Sequence, residues 1–180
     1  MGETIKLTAD DGFTFDAYQA KPEGKPKGCI VVIQEIFGVN GHIRRDADKF
    51  AKLGYMAVAP AVFDRVEKGV ALGYDQAGME KGRELVTKLG LDNALRDIRA
   101  TANYLLTFGP VGAVGYCWGG SVAWACATRL GLPAVGYYGG RTIQLMHEKP
   151  QAACMLHFGA KDQHIPIGDV TKLRDRKSVV

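Results

Sequence analysis

The chain has 180 residues, 47% of them hydrophobic and 23% charged, with a formal net charge of +4. These values describe one globular domain, residues 1–180, able to bury its own core, and they exclude disordered and fibrous classes. No Lys/Arg cluster is interleaved with aromatics, the opening Met1-Gly2-Glu3-Thr4 is polar, and no apolar run has membrane-spanning length. Nucleic acid and membrane are therefore not expected partners, and a cytoplasmic location is expected. Cys29, Cys117, Cys126 and Cys154 contain no C-x-x-C pair and read as reduced thiols.

Taken in chain order, Thr4–Ala9, the turn Asp10-Asp11-Gly12 and Phe13–Ala20 predict an opening β-hairpin. Cys29–Gln34 is a continuous apolar run of the kind that forms a buried parallel strand. Helical spacing follows in Ile43–Leu53, then a second buried strand in Met56–Ala59 and a loop over Ala61–Tyr74. Asp75–Leu89 and Leu91–Thr107 read as helices, the latter with Leu91, Ala94, Leu95, Ile98, Ala102 and Leu105 on one stripe. Val111–Tyr116 predicts a strand, Ser121–Leu130 a helix, and Ala134–Tyr138 and Ala152–Phe158 two further strands. Strands alternating with helices imply a mostly parallel α/β sheet with helices on both faces and the hairpin at one edge. Chemistry in such sheets collects beyond the carboxyl ends of strands, where Glu35, Cys117 and Asp162 all fall.

Gly115-Tyr116-Cys117-Trp118-Gly119-Gly120 is the most informative segment. A strand runs into a sharp turn and a helix, with a cysteine at the apex and glycines where a β-carbon would collide with neighbouring backbone. The turn lifts Cys117 above the sheet and aims the next N–H and the helix N-terminus at it, an environment expected to favour a thiolate and an oxyanion. The pattern predicts a cysteine acyl-transfer enzyme.

With that elbow, the segments Gln34-Glu35-Ile36-Phe37-Gly38-Val39-Asn40, Ala134-Val135-Gly136-Tyr137-Tyr138-Gly139 and His157-Phe158-Gly159-Ala160-Lys161-Asp162-Gln163-His164-Ile165-Pro166 occur in the order found in dienelactone hydrolases. Over nearly its whole length the chain resembles that family of α/β-hydrolases. The resemblance implies hydrolysis of a lactone or carboxylic ester, a small-molecule substrate, with Cys117 as nucleophile and Asp162 orienting a histidine. It implies that Glu35 holds the resting thiol and helps form the thiolate, and that the N–H groups of Ile36 and Trp118 hold the oxyanion. Arg83 matches an arginine that binds the substrate carboxylate, and Tyr138 is expected near the pocket. Neither an organic cofactor nor a metal is needed, and the sequence is silent on oligomeric state. The family's histidine lies on a loop after one more strand, and a helix then closes the sheet. No strand pattern or histidine follows His164 before Val180, so the chain reads as a C-terminally shortened member without the last strand and helix.

Plainer readings stand beside these. Asp162 could cap a turn before a helix at Ile167, Glu35 could pair with Arg44 or Arg45, and Arg83 could lie on a solvated helix face. His157 is expected as a satisfied core residue, while His42, His147 and His164 are weak candidates for a substitute base. No histidine pair has metal-ligand spacing with a third ligand nearby. Two rival functions follow: a catalytically impaired remnant of the fold, or a protein whose Cys117 is merely modifiable.

Overall fold

The computed structural model describes residues 2–175. Its strands are β1 (Glu3–Thr8), β2 (Thr14–Ala20), β3 (Cys29–Ile33), β4 (Met56–Pro60), β5 (Val111–Tyr116), β6 (Ala134–Tyr137) and β7 (Cys154–His157). Its helices are α1 (Gly41–Lys52), α2 (Gln76–Leu89), α3 (Leu91–Leu106), α4 (Trp118–Arg129) and α5 (Ile167–Asp175). The strands form one sheet in the order β1-β2-β4-β3-β5-β6-β7. The β1–β2 hairpin closes at Thr8 and Thr14 and joins β4 antiparallel, while β4, β3, β5, β6 and β7 run parallel. This is the α/β-hydrolase sheet expected, with its hairpin at one edge.

Strand pleating decides which helix covers which face. Val31, Ile33, Met56 and Val58 point into a core shared with Leu85, Val86, Ile98 and Val122 of α2, α3 and α4. Their neighbours Val32, Ala57 and Ala59 point the other way, onto Ile43, Ala47 and Ala51 of α1. The central strands are therefore covered on both sides, which is why they read as unbroken apolar runs. Helix α4 is buried from Trp118 to Thr128, and its first turn follows the tip of β5 directly.

Three expectations are corrected. The segment 61–74 is not all loop: it holds a 3₁₀ turn, Val62–Arg65, anchored by buried Phe63 and by Asp64, whose carboxylate accepts the N–H groups of Asp16 and Gly69. Helix α4 begins at Trp118, three residues before Ser121, because Cys117 itself serves as N-cap. His157 is exposed on β7, the last strand in the sheet order, and its ring stacks on Tyr137 at 4.6 Å.

Candidate active site

Cys117 adopts φ 56°, ψ −121°, backbone that a non-glycine residue holds only when its surroundings enforce it. Its N–H donates to the Tyr137 carbonyl at 3.0 Å and its carbonyl accepts from Gly120 at 2.9 Å, so β6 and α4 both fix the turn. A β-carbon on Gly115 would land on the Gly119 carbonyl, and one on Gly119 would land on the Gln34 carbonyl. The glycines thus allow the helix to sit on two strand ends at once.

That packing brings the end of β3 to the sulfur. The N–H groups of Trp118 and Ile36 both donate towards Cys117 Sγ. Helix α2 presses on the same turn, since a β-carbon on Gly82 would meet the Ile36 carbonyl. Glu35, only 6% exposed, has one carboxylate oxygen 3.0 Å from the Tyr138 hydroxyl and the other 2.5 Å from the Tyr74 hydroxyl. Tyr138 also holds positive φ, 42°, and its N–H donates to the His157 carbonyl. The ion pair considered between Glu35 and Arg44 or Arg45 does not form. Arg44 donates to the Val39 carbonyl and lies over the Tyr18 ring, and among the described residues the Glu35 carboxylate is bonded by phenols alone.

The electrostatics correct one expectation. Burial pushes the Cys117 thiol above its ordinary range and the Glu35 charge adds to the effect; the N–H groups of Trp118 and Ile36 and the charge of Arg141 oppose it without prevailing. The resting group is a thiol rather than the thiolate expected from the helix N-terminus, because an N-terminal dipole is weaker than burial beside a carboxylate. Tyr74 is pushed up to about 12, first by desolvation of its hydroxyl beside buried Glu35, although the residue as a whole is exposed, and then by its bond to Glu35; Tyr138 is raised by burial and the same charge.

Glu35, Ile36, Cys117, Trp118 and Tyr138 therefore come together. Asp162 lies beyond the carboxyl end of β7, but its carboxylate accepts the N–H groups of His164 (2.8 Å) and Ile165 (3.2 Å), closing its own turn. No histidine ring among the described residues bonds to it. His42 faces Asp46 at 3.5 Å and the Tyr116 ring, and His147 and His164 are exposed. Arg83 is exposed on α2. The arginine whose charge bears on Cys117 is Arg141, just past β6, beside a cleft of about 260 Å³ lined by Val86, Leu91, Trp118, Val122 and Leu145. Sequence reasoning missed both Arg141 and Tyr74. Arg141 carried the signal of a residue following a parallel strand, whereas Tyr74 sat in a segment with no periodicity.

The profile of the dienelactone hydrolase family matches residues 15–178. The chain belongs to that family. A dienelactone hydrolase relative, the carboxymethylenebutenolidase of Pseudomonas putida, is 33% identical over 174 residues, 92% of this chain and 74% of its own length. A candidate carboxymethylenebutenolidase of Synechocystis sp. is also 33% identical, over 80% of this chain, and the match spans 65% of that relative. The crystal structure of a candidate dienelactone hydrolase from Klebsiella pneumoniae superposes with a TM-score of 0.83 at 26% identity, covering 97% of this chain and 78% of the other. An α/β serine hydrolase from Xanthomonas campestris, at 15% identity and TM-score 0.64, shares the fold. No helix among the described residues is long and apolar enough to cross a membrane.

Proposed function

We propose that the chain hydrolyses a small lactone or carboxylic ester through Cys117. One observation carries this reading: a strained cysteine at a strand–helix elbow on whose sulfur N–H groups from two separate segments, Ile36 and Trp118, converge. A carbonyl carbon attacked by that sulfur puts its developing oxyanion beside the same donors, which is where fixed N–H groups lower a barrier most. The thiol proton passes to the nearby Glu35 carboxylate as the C–S bond forms; the C–O bond then breaks, the leaving oxygen takes that proton back from Glu35, and an acyl-enzyme results. Water then releases the acid. In the family pattern Asp162 orients a histidine for that second step, and Arg83 holds the substrate carboxylate. Family membership and the likeness to the carboxymethylenebutenolidases of Pseudomonas support the chemistry as a class. The bonding of Asp162 to its own turn favours a second reading, in which acylation outruns release and the chain turns over poorly.

The test is intact mass after brief exposure to an activated acyl ester. The expected result is one acyl group, on Cys117, lost in Cys117→Ala and unchanged in Cys154→Ala. Acylation elsewhere, or none at a concentration that labels free thiols, would sink the reading.

A further inference from the structure

Glu35 is a buried carboxylate whose bonds are phenolic, and the phenols differ in how they are held. Tyr138 belongs to the frame, in the turn after β6, with its N–H tied to β7. Tyr74 reaches in from outside, being 57% exposed on the segment joining the 3₁₀ turn to α2. That segment is fastened to the turn after Glu35. The Leu72 N–H donates to the Phe37 carbonyl at 2.8 Å, Ala71 bridges to Gly38, and the Tyr74 ring packs on Phe37 with centroids 4.4 Å apart. A β-carbon on Gly38 would land on the Val70 carbonyl, so the fastening leaves no slack. The result is an exposed tyrosine delivering its hydroxyl 2.5 Å from a carboxylate that solvent scarcely touches.

We propose that Tyr74 is a positioning residue that restrains Glu35, setting how readily this carboxylate accepts the proton of Cys117. The inference rests on the reading of Cys117 as nucleophile. In the step concerned the S–H bond breaks, an O–H bond forms on a Glu35 oxygen, and the electron pair stays on sulfur; no further reactant enters. A hydrogen bond donated to a carboxylate stabilises its charged form and weakens its pull on a proton. Tyr74 is thus a brake: it keeps the buried charge tolerable in the resting protein and keeps the thiol protonated. The other groups facing this charge are Tyr138 from the turn after β6, Tyr116 from β5 and Cys117 from the head of α4. Arg45 of α1 acts on Tyr74, and Arg141 acts on Cys117.

The experiment follows the iodoacetamide alkylation rate of Cys117 against pH, by peptide mass, in the parent, Tyr74→Phe, Glu35→Gln and the double variant. Tyr74→Phe is expected to react about tenfold faster near pH 7, the size of effect that losing one hydrogen bond to a charged group produces. The gain vanishes at alkaline pH, where the thiol ionises unaided, and the double variant matches Glu35→Gln alone. A Tyr74→Phe rate equal to the parent at all pH values would overturn the proposal. So would a gain that persists without Glu35, since it would reflect a loosened loop. Preferential labelling of another cysteine in the parent would instead defeat the nucleophile reading itself. Tyr74→Leu, which removes both the hydroxyl and the ring, serves as a second variant with the same expected sign.

Discussion

The Gln34 carbonyl stands where a β-carbon on Gly119 would have to be, so α4 rests directly on the chain leaving β3. This contact brings the Ile36 and Trp118 N–H groups to one sulfur. Gly119→Ala must push the helix off the strand, and overpacking of this kind costs about 1–3 kcal/mol. We expect a lower urea midpoint together with a loss of the preferential reactivity of Cys117. An unchanged midpoint and unchanged labelling would mean that the elbow tolerates the displacement.

Cys117 should be the first thiol alkylated, and its rate should climb with pH from neutral into the alkaline range without levelling off near pH 7. Burial and Glu35 hold its titration above the ordinary thiol range, so the thiolate fraction at neutrality is small and grows with each rise in pH. Burial also raises Cys29, raises Cys126 further, and takes Cys154 up to about 11. Arg141→Gln removes a charge that favours the thiolate, so its profile should move to still higher pH. A profile moved downward would contradict the stated role of that charge.

Arg65 joins the hairpin turn to α3 by bonding Asp11 and, through Nε and Nη2, Asp97, whose side chain is 0% exposed. Arg65→Met leaves the Asp97 charge buried without its partner, an omission that costs about 3–5 kcal/mol. Burial lifts the Asp97 carboxyl from 3.8 to about 6 even with Arg65 pulling the other way. A carboxyl raised in the folded state favours folding below its unfolded value, and that contribution is lost as pH rises through its folded value. Losing Arg65 raises it further, so the deficit of the variant should be largest at neutral pH and shrink towards pH 4. Parallel stability curves for parent and variant between pH 4 and 7 would refute this.

With an activated ester, the 180-residue chain should release a burst close to one equivalent per site and then turn over slowly. On the proposed reading Asp162 works through a histidine, no histidine ring among the described residues bonds to it, and removing one member of such a triad typically costs about 10⁴-fold, because the members act as a unit. Stopped-flow release of the alcohol measures both phases. Steady turnover with no burst, insensitive to replacing His42, His147, His157 and His164 in turn, would rule out this account. Loss of turnover on replacing one of them would identify the base.

Much of this was legible in the residues themselves. Local backbone chemistry suffices for the elbow, because only glycine at 115 and 119 lets a strand, a turn and a helix meet, and the φ of 56° at Cys117 follows from that crowding. Unbroken apolar runs at 29–33 and 56–60 announced strands covered on both faces, since a half-exposed strand would alternate. The turn at Gly12 and the hairpin it closes were equally local.

Tertiary structure decided what the charges do, because a charge is stabilised by neighbours whose separation along the chain carries no signal. Glu35 meets Tyr74 and Tyr138, 39 and 103 residues away, and neither Arg44 and Arg45 on the following helix nor any periodicity foretold this. The balance at Cys117 likewise depends on burial and on Arg141, so a helix N-terminus that suggests a thiolate ends up holding a thiol. Asp162 is the exception: it answers to the amides of its own turn, two and three residues on, a local contact that the turn-capping reading of the sequence anticipated. Patterns of residue type determine elements and the strained turn, since those depend on sterics within a few residues. Proton positions depend on desolvation and on distant charges, and these exist only once the sheet has closed around them.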